Sequence, residues 1–218
     1  MEIDGAGTNG DLRYGFNQRN MLITNTAYVD GTGWMLQAEF HYDGANNRLP
    51  QIAYGSGTPI TTTYTNDILG LAQVLVSDNG VTTTHMLFGL DLILQDDGQT
   101  RTLLADGLGS TRLEIVGSQV ETVTTYEPYG KLLAQTGESG TVYGYTGEQH
   151  DATGLLYLQA SYYNPDLKVF LSRDPFPGYA TLSISQNGYD DLRSLFNSQL
   201  YHLDSVQWFT AAKYPISI

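Results

Sequence analysis

The chain contains no cysteine among its 218 residues. That removes disulfide frameworks, thiol nucleophiles and thiolate-ligated zinc together. Positive charge is nearly as scarce: 10 Lys+Arg face 23 Asp+Glu, a formal charge of −13. A surface of that sign repels a phosphate backbone, so nucleic-acid binding through a basic groove is excluded. Only 15% of residues are charged, well below the roughly 25% of an average globular domain. No apolar run approaches the ~20 residues of a membrane-spanning helix, and Met1-Glu2-Ile3-Asp4-Gly5 has neither the basic start nor the apolar stretch of a signal peptide. What fills the space is 24 Gly and 16 Tyr, a polar, uncharged composition rich in turns.

The turn signals are Asp4-Gly5, Asn9-Gly10, Asp30-Gly31, Asp43-Gly44, Asn79-Gly80, Asp97-Gly98, Asp106-Gly107 and Asn187-Gly188. Both residues of each pair tolerate the positive φ that tight hairpins need. β-prone runs flank them: Ala72–Val76 with Val81–Phe88, Leu92–Gln95 with Thr100–Leu104, and Arg112–Val116 with Val120–Tyr126 across Gly117-Ser118. These predict three successive hairpins, hence a meander. Tyr42, Tyr64 and Met86 are spaced by 22, and Asp106, Tyr126 and Tyr145 continue at about that interval. A unit that short cannot bury its own apolar face, so stacked neighbours must supply a core and a long coiled sheet is expected. Leu155–Tyr163 alternates with period two and reads as one strand. Asp190 and Asp191 then precede Leu192, Leu195, Phe196, Leu200, Leu203 and Val206, a spacing that predicts an amphipathic helix over about 191–209, packed on the sheet.

Several chemical motifs fail on context. Gly5-Ala6-Gly7-Thr8-Asn9-Gly10 matches G-x-G-x-x-G in letters, but no strand precedes it and no helical stripe follows. His41, His85, His150 and His202 show no metal-ligand spacing and read as isolated surface or turn residues, so no metal and no cofactor is expected. Glu148 and Asp151 read as turn-forming acids. Asp96-Asp97-Gly98 lacks the spacing of a calcium loop.

Asp106-Gly107-Leu108-Gly109-Ser110-Thr111-Arg112, Tyr126-Glu127-Pro128-Tyr129-Gly130, Tyr145–Asp151, Thr153–Leu158, Tyr162-Tyr163-Asn164-Pro165-Asp166 and Phe170–Pro175 form an ordered series. It resembles the core region of the rearrangement-hot-spot (RHS) family of tyrosine-aspartate (YD) repeat proteins. Tyr42–Leu49 resembles a weaker repeat of the same kind. The resemblance implies an all-β YD-repeat spiral sheet, a shell or cocoon segment, here with a short C-terminal helix. It divides the chain into degenerate repeats over 1–104, a core-like region over 105–189 and a tail over 190–218.

The function implied is that of a structural shell segment of a toxin or cell-surface protein, secreted or displayed as part of a larger system. Such a segment encloses or presents a C-terminal cargo. Partners would be upstream YD repeats, or a second copy joined edge to edge through Met21–Tyr42, where Glu39, Asp43 and Arg48 are the few charges available to blunt an edge; a toxin cargo or immunity protein is also implied. Nucleic acid and membrane insertion are not.

Two other classes stay open. In self-cleaving relatives the chemistry resembles an aspartic protease, and Asp174, with Arg173 to bias its charge, is the matching position; the second Asp-Pro-x-Gly of that pattern is missing. The other class is a Tyr-rich adhesion or glycan-binding module. Relatives carry Arg where Ser161 stands and Gly-Arg where Lys168-Val169 stand, so the seam electrostatics differ here.

Overall fold

The computed structural model describes residues 7–55, 57–67, 73–89, 92–159 and 161–172. Twelve strands follow one another in a single antiparallel sheet whose spatial order equals their chain order. They are β1 (Leu12–Phe16), β2 (Leu22–Val29), β3 (Gly33–Tyr42), β4 (Arg48–Ala53), β5 (Ile60–Asp67) and β6 (Gln73–Asp78), then β7 (Thr83–Phe88), β8 (Leu92–Asp96), β9 (Thr100–Ala105), β10 (Thr111–Val116), β11 (Gln119–Tyr126) and β12 (Leu132–Thr136). A 3₁₀ turn at Tyr145–Gly147 leads into a small second sheet, β13 (Gln149–His150), β14 (Leu156–Tyr157), β15 (Tyr162–Asn164) and β16 (Val169–Phe170).

The three hairpins expected from sequence are present as β6–β7, β8–β9 and β10–β11. The long sheet runs unbroken from β9 into β10, through the point where repeats were divided from the core-like region. The tail over 190–218, with the helix expected at 191–209, lies outside the described residues.

One turn recurs, and it accounts for the YD pattern physically. In it the N–H of residue i donates to the carbonyl of i+4, and the N–H of i+3 donates back to the carbonyl of i. Asn17, Asp43, Asp106, Glu127 and Asp151 each open such a turn. The i+3 positions are Asn20, Asn46, Gly109, Gly130 and Gly154, all in the left-handed region, with φ between 61° and 87°. Only Gly, Asn and Asp adopt that conformation readily. In three of the turns the opening side chain also caps the loop: Oδ1 of Asn17, Asp43 and Asp106 accepts from the N–H groups of both i+2 and i+4. The aromatic before it, such as Phe16 or Tyr42, closes a strand and packs on the core beneath.

The small sheet lies against one face of the large one. Leu22, Ala38 and Phe40 pack with Leu155, Tyr157 and Tyr162, while Tyr143 joins Val74, Met86, Leu92 and Leu103. The link from β12 to β13 is strapped to this face by side chains. Gln95 Nε2 donates to the Gly140 carbonyl at 2.7 Å, the Gly140 N–H donates to Glu114 Oε2 at 2.9 Å, and Thr122 Oγ1 donates to the Glu138 carbonyl at 2.9 Å. Gln, Glu and Thr on this face thus pair with backbone groups that would otherwise be buried without partners.

Three expectations are corrected. Leu155–Tyr163 is a hairpin and not one strand: β14 and β15 pair as Leu156 with Tyr163 and Tyr157 with Tyr162, because Gln159 takes φ 61° and reverses the chain. Met21–Tyr42 is not an edge, since β2 and β3 each have a neighbour on both sides; among the described residues the sheet's edges are β1 and β12. Arg48 does not blunt an edge either; its side chain is buried.

Candidate functional site

Arg48 opens β4 directly after the Asp43 turn, which aims its side chain at the small sheet. The guanidinium lies between two tyrosine rings, 3.9 Å from the Tyr157 centroid and 4.5 Å from that of Tyr64. Nη1 donates to both carboxylate oxygens of Asp151, at 3.0 and 3.2 Å, and to Tyr162 Oη at 2.9 Å, while Nη2 donates to Gln149 Oε1. Gln149 in turn donates to the Tyr143 hydroxyl at 2.8 Å. The two charged side chains are only 2% and 3% exposed, so this is an ion pair taken fully out of water and bridging 103 positions of sequence.

Burial penalises both charges. It pushes the Asp151 carboxyl above its usual range, with the Arg48 charge and the Tyr162 hydroxyl pulling the other way. Burial is the largest single influence on Arg48 and disfavours its charge, but the Asp151 carboxylate together with Tyr162, Tyr64 and Tyr157 outweighs it, so the guanidinium is held above its ordinary range. Burial likewise raises Tyr157 to about 12 and holds Tyr162 well above its ordinary value. All of the tyrosines around the guanidinium are therefore neutral donors and ring faces at neutral pH. The arrangement offers no nucleophile and no open coordination position; it is a latch joining the small sheet to the repeats.

Asp151 was expected to be only a turn former. It does open a turn of the recurring kind, but its carboxylate faces Arg48 where Asp43 and Asp106 spend theirs on the loop. Arg112 pairs with its own turn, Nε to Asp106 Oδ2 at 2.7 Å, whereas Asp151 takes its Arg from 103 positions away. His150 is likewise not a surface or turn residue. Its ring is half-buried in β13 and stacked on Tyr126, 6.4 Å between centroids at 14°, and burial lowers its pKa below the ordinary value of 6.5.

The core-like motifs clamp one another. Tyr145 donates to the Pro128 carbonyl at 2.6 Å, and Tyr163 to the Tyr129 carbonyl at 3.1 Å. A Cβ on Gly130 would lie 2.6 Å from the Tyr145 ring, so Tyr126–Gly130 is the receptor for two tyrosines, Tyr145 from the 3₁₀ turn and Tyr163 from the small sheet. Ser110 Oγ accepts the Thr146 N–H at 2.9 Å. A cavity of about 40 Å³, lined among others by Val74, Phe88, Tyr143, Gln149, Tyr157 and Gln159, lies beside the latch and has room for water only.

Arg173 and Asp174 lie outside the described residues. The chain leads to them through Ser172, whose hydroxyl is 2.7 Å from that of Ser161. Position 161, where the resembled pattern implies Arg, thus holds a neutral hydroxyl bonded to Ser172. Lys168 stands at φ 62°, the conformation that the relatives' Gly suits, with its ammonium 4.9 Å from the Tyr129 ring centroid.

No family model matches the chain. It is 33% identical over 166 residues to the tRNA nuclease WapA of Bacillus subtilis, an alignment covering 70% of this chain and 7% of that protein. It is 39% identical over 74 residues to the toxin subunit YenC1 of Yersinia entomophaga, covering 31% of this chain and 8% of the subunit. Among solved structures, TcdB2-TccC3 superposes with a TM-score of 0.66 at 21% identity, over 87% of this chain and 10% of that one. The Photorhabdus luminescens Tc holotoxin pore gives 0.65 at 20% identity, over 89% and 10%. The chain thus spans a tenth or less of the length of these proteins. Its sequence and its fold are RHS-like: an all-β antiparallel sheet carrying a small strand-built region latched to one face.

Proposed function

We propose that this chain is a structural segment of the strand-built shell of a toxin-type RHS protein, secreted or displayed as part of a larger system, and that the shell encloses or presents a C-terminal cargo. The observation that carries the reading is the latch. A buried Arg48–Asp151 pair, sandwiched by tyrosines and tied to Gln149 and Tyr162, fixes the core-like region on the inner wall of the repeats and leaves no open reactive group. Upstream repeats would continue the sheet at β1. The likeness to toxin proteins, each far longer than this chain, supports the same reading. Cryo-electron microscopy of the intact native protein that carries this chain tests it. The expected map has a strand hydrogen-bonded to the free side of β1 and a lumen on the side of β13–β16; solvent on both would overturn the assignment.

Self-cleavage at Asp174, with Arg173 biasing its charge, is the enzymatic alternative. Ser161 in place of the relatives' Arg takes a cation away from that segment, which argues for an inert chain. Intact mass spectrometry at neutral and mildly acidic pH should keep returning 24.0 kDa. A discrete fragment that vanishes in Asp174→Asn would establish the alternative.

A further inference from the structure

Strands β6 and β7 are joined by residues 79–82, and the Asn79-Gly80 pair there lies at an exposed tip that has no part in the latch. Three groups converge on that pair. Asp78, the last residue of β6, takes the Gly80 N–H on its Oδ1 at 2.6 Å. Its other oxygen accepts from the Thr83 hydroxyl at 2.8 Å, which fixes the carboxylate in that orientation. The Asn79 side chain folds forward over the same peptide: its Oδ1 accepts from the N–H groups of Val81 and Thr82, at 2.9 and 2.8 Å. Gly80 stands at φ 80° with open space around its Cβ position, so no side chain obstructs the approach of its nitrogen to the Asn79 carboxamide.

An exposed turn holds its shape with one or two such bonds. Together they make up an acyl-transfer site: a nucleophile with its base, the base oriented by a third group, and two donors on the oxygen where negative charge develops. We propose that this hairpin modifies itself, with the Gly80 nitrogen attacking Asn79 Cγ and Asp78 acting as the base. The nitrogen gives its proton to Asp78 Oδ1 as the N–Cγ bond forms. The electron pair displaced onto Asn79 Oδ1 is held by the Val81 and Thr82 N–H groups. It returns as the Cγ–Nδ2 bond breaks, and the proton on Asp78 leaves with that nitrogen as ammonia. A cyclic succinimide remains, and water opens it at either carbonyl, to aspartate or to isoaspartate. Water is consumed and ammonia released, with no oxidant or reductant. The Gly80 N–H and the Thr83 hydroxyl hold the Asp78 carboxyl below its ordinary range, so it is ionised and able to accept the proton at neutral pH. Isoaspartate routes the main chain through a side-chain carbon, so the product is a hairpin with a longer tip and one more negative charge.

Asn9-Gly10 supplies the comparison. It is exposed too, yet the Gly10 N–H donates to the Tyr28 carbonyl at 3.1 Å, an acceptor that does not take up its proton. Peptide mapping by mass spectrometry on the folded chain, held at neutral pH, tests the proposal. Aspartate and isoaspartate should accumulate at Asn79 at least about tenfold faster than at Asn9, a modest share of what a positioned base supplies. Asp78→Asn keeps an acceptor for the Gly80 N–H but removes the base. It should slow the reaction at Asn79 by a similar factor and leave Asn9 unchanged. In urea the two sites should react at similar rates, since the Asn-Gly sequence is then all that either has. Equal rates at the two sites in the folded chain, an undiminished rate in Asp78→Asn, or a faster reaction at Asn79 in urea than in the folded chain would each overturn the proposal.

Discussion

Arg48 carries its charge to a place where water does not follow, and the cost is recovered through one carboxylate, two ring faces, a phenol and an amide. Removing either member of such a pair strands the other, which costs about 3–5 kcal/mol, whereas replacing both with apolar groups costs much less. Arg48→Met and Asp151→Leu are each expected to lower stability by that amount, and the double variant to recover most of it; additive losses in denaturant titrations would contradict a coupled latch. Lys168 makes the opposite kind of statement, a residue in a glycine conformation, held over Tyr129. Lys168→Gly relieves the backbone at the loss of a ring contact worth about 0.5–1 kcal/mol at the surface. Lys168→Ala loses the contact and relieves nothing, so it should melt below Lys168→Gly; the reverse order would show that φ is not what matters there.

The elements divide into those whose reasons are local and those whose reasons are not. The turns at Asn79-Gly80 and Asp97-Gly98 were legible because such pairs specify their own backbone, and the meander followed from the β-prone runs between them; at Asp43-Gly44 and Asp106-Gly107 the left-handed residue is instead Asn46 and Gly109. β14 and β15 were not separated, because Gln159 is an unusual residue for φ 61° and the alternation on either side of it survives the reversal. The latch was not legible at all: Asp151 has the local signature of every other turn acid, and only packing across 103 residues reassigns its carboxylate.

Glycines sort the same way. Gly137 combines φ 78° with a Cβ position 1.9 Å from the Glu121 carbonyl oxygen, whereas Gly98 has φ 100° and open space around it. Gly137→Ala should therefore cost about 2–4 kcal/mol and Gly98→Ala about 1 kcal/mol; equal losses in thermal melting would mean that the strap after β12 is not pinned.

On β13, His150 has its folded pKa depressed by burial, so its neutral form is favoured in the fold. Its contribution is complete above about 6.5, the ordinary value, and is lost as pH falls through that window. Asp106, held below the ordinary carboxylate range by Arg112 and the loop N–H groups against the pull of burial, contributes nothing variable until pH drops below about 3.9. Between pH 7.5 and 5 the unaltered protein should lose more stability than His150→Phe, as read by urea midpoints; parallel losses would remove His150 as the cause.

At the scale of the whole molecule, one face of a twelve-stranded sheet is occupied by the small sheet, and among the described residues nothing covers the other, which exposes apolar residues such as Leu87, Leu104, Val120 and Val123. No helix among the described residues is long and apolar enough to cross a membrane. Because the strands run in simple chain order, the sheet can be extended at β1 by any further hairpin without rearranging what is already paired. Being an arc of a longer sheet is the central claim, and hydrogen exchange at Leu12–Phe16 tests it most directly. In the 218-residue chain at low concentration, the β1 amides that point away from β2 should exchange freely; in the intact native protein the same amides should be protected. Full protection of those amides in the isolated, monomeric chain would contradict the claim, because β1 would then already have its partner.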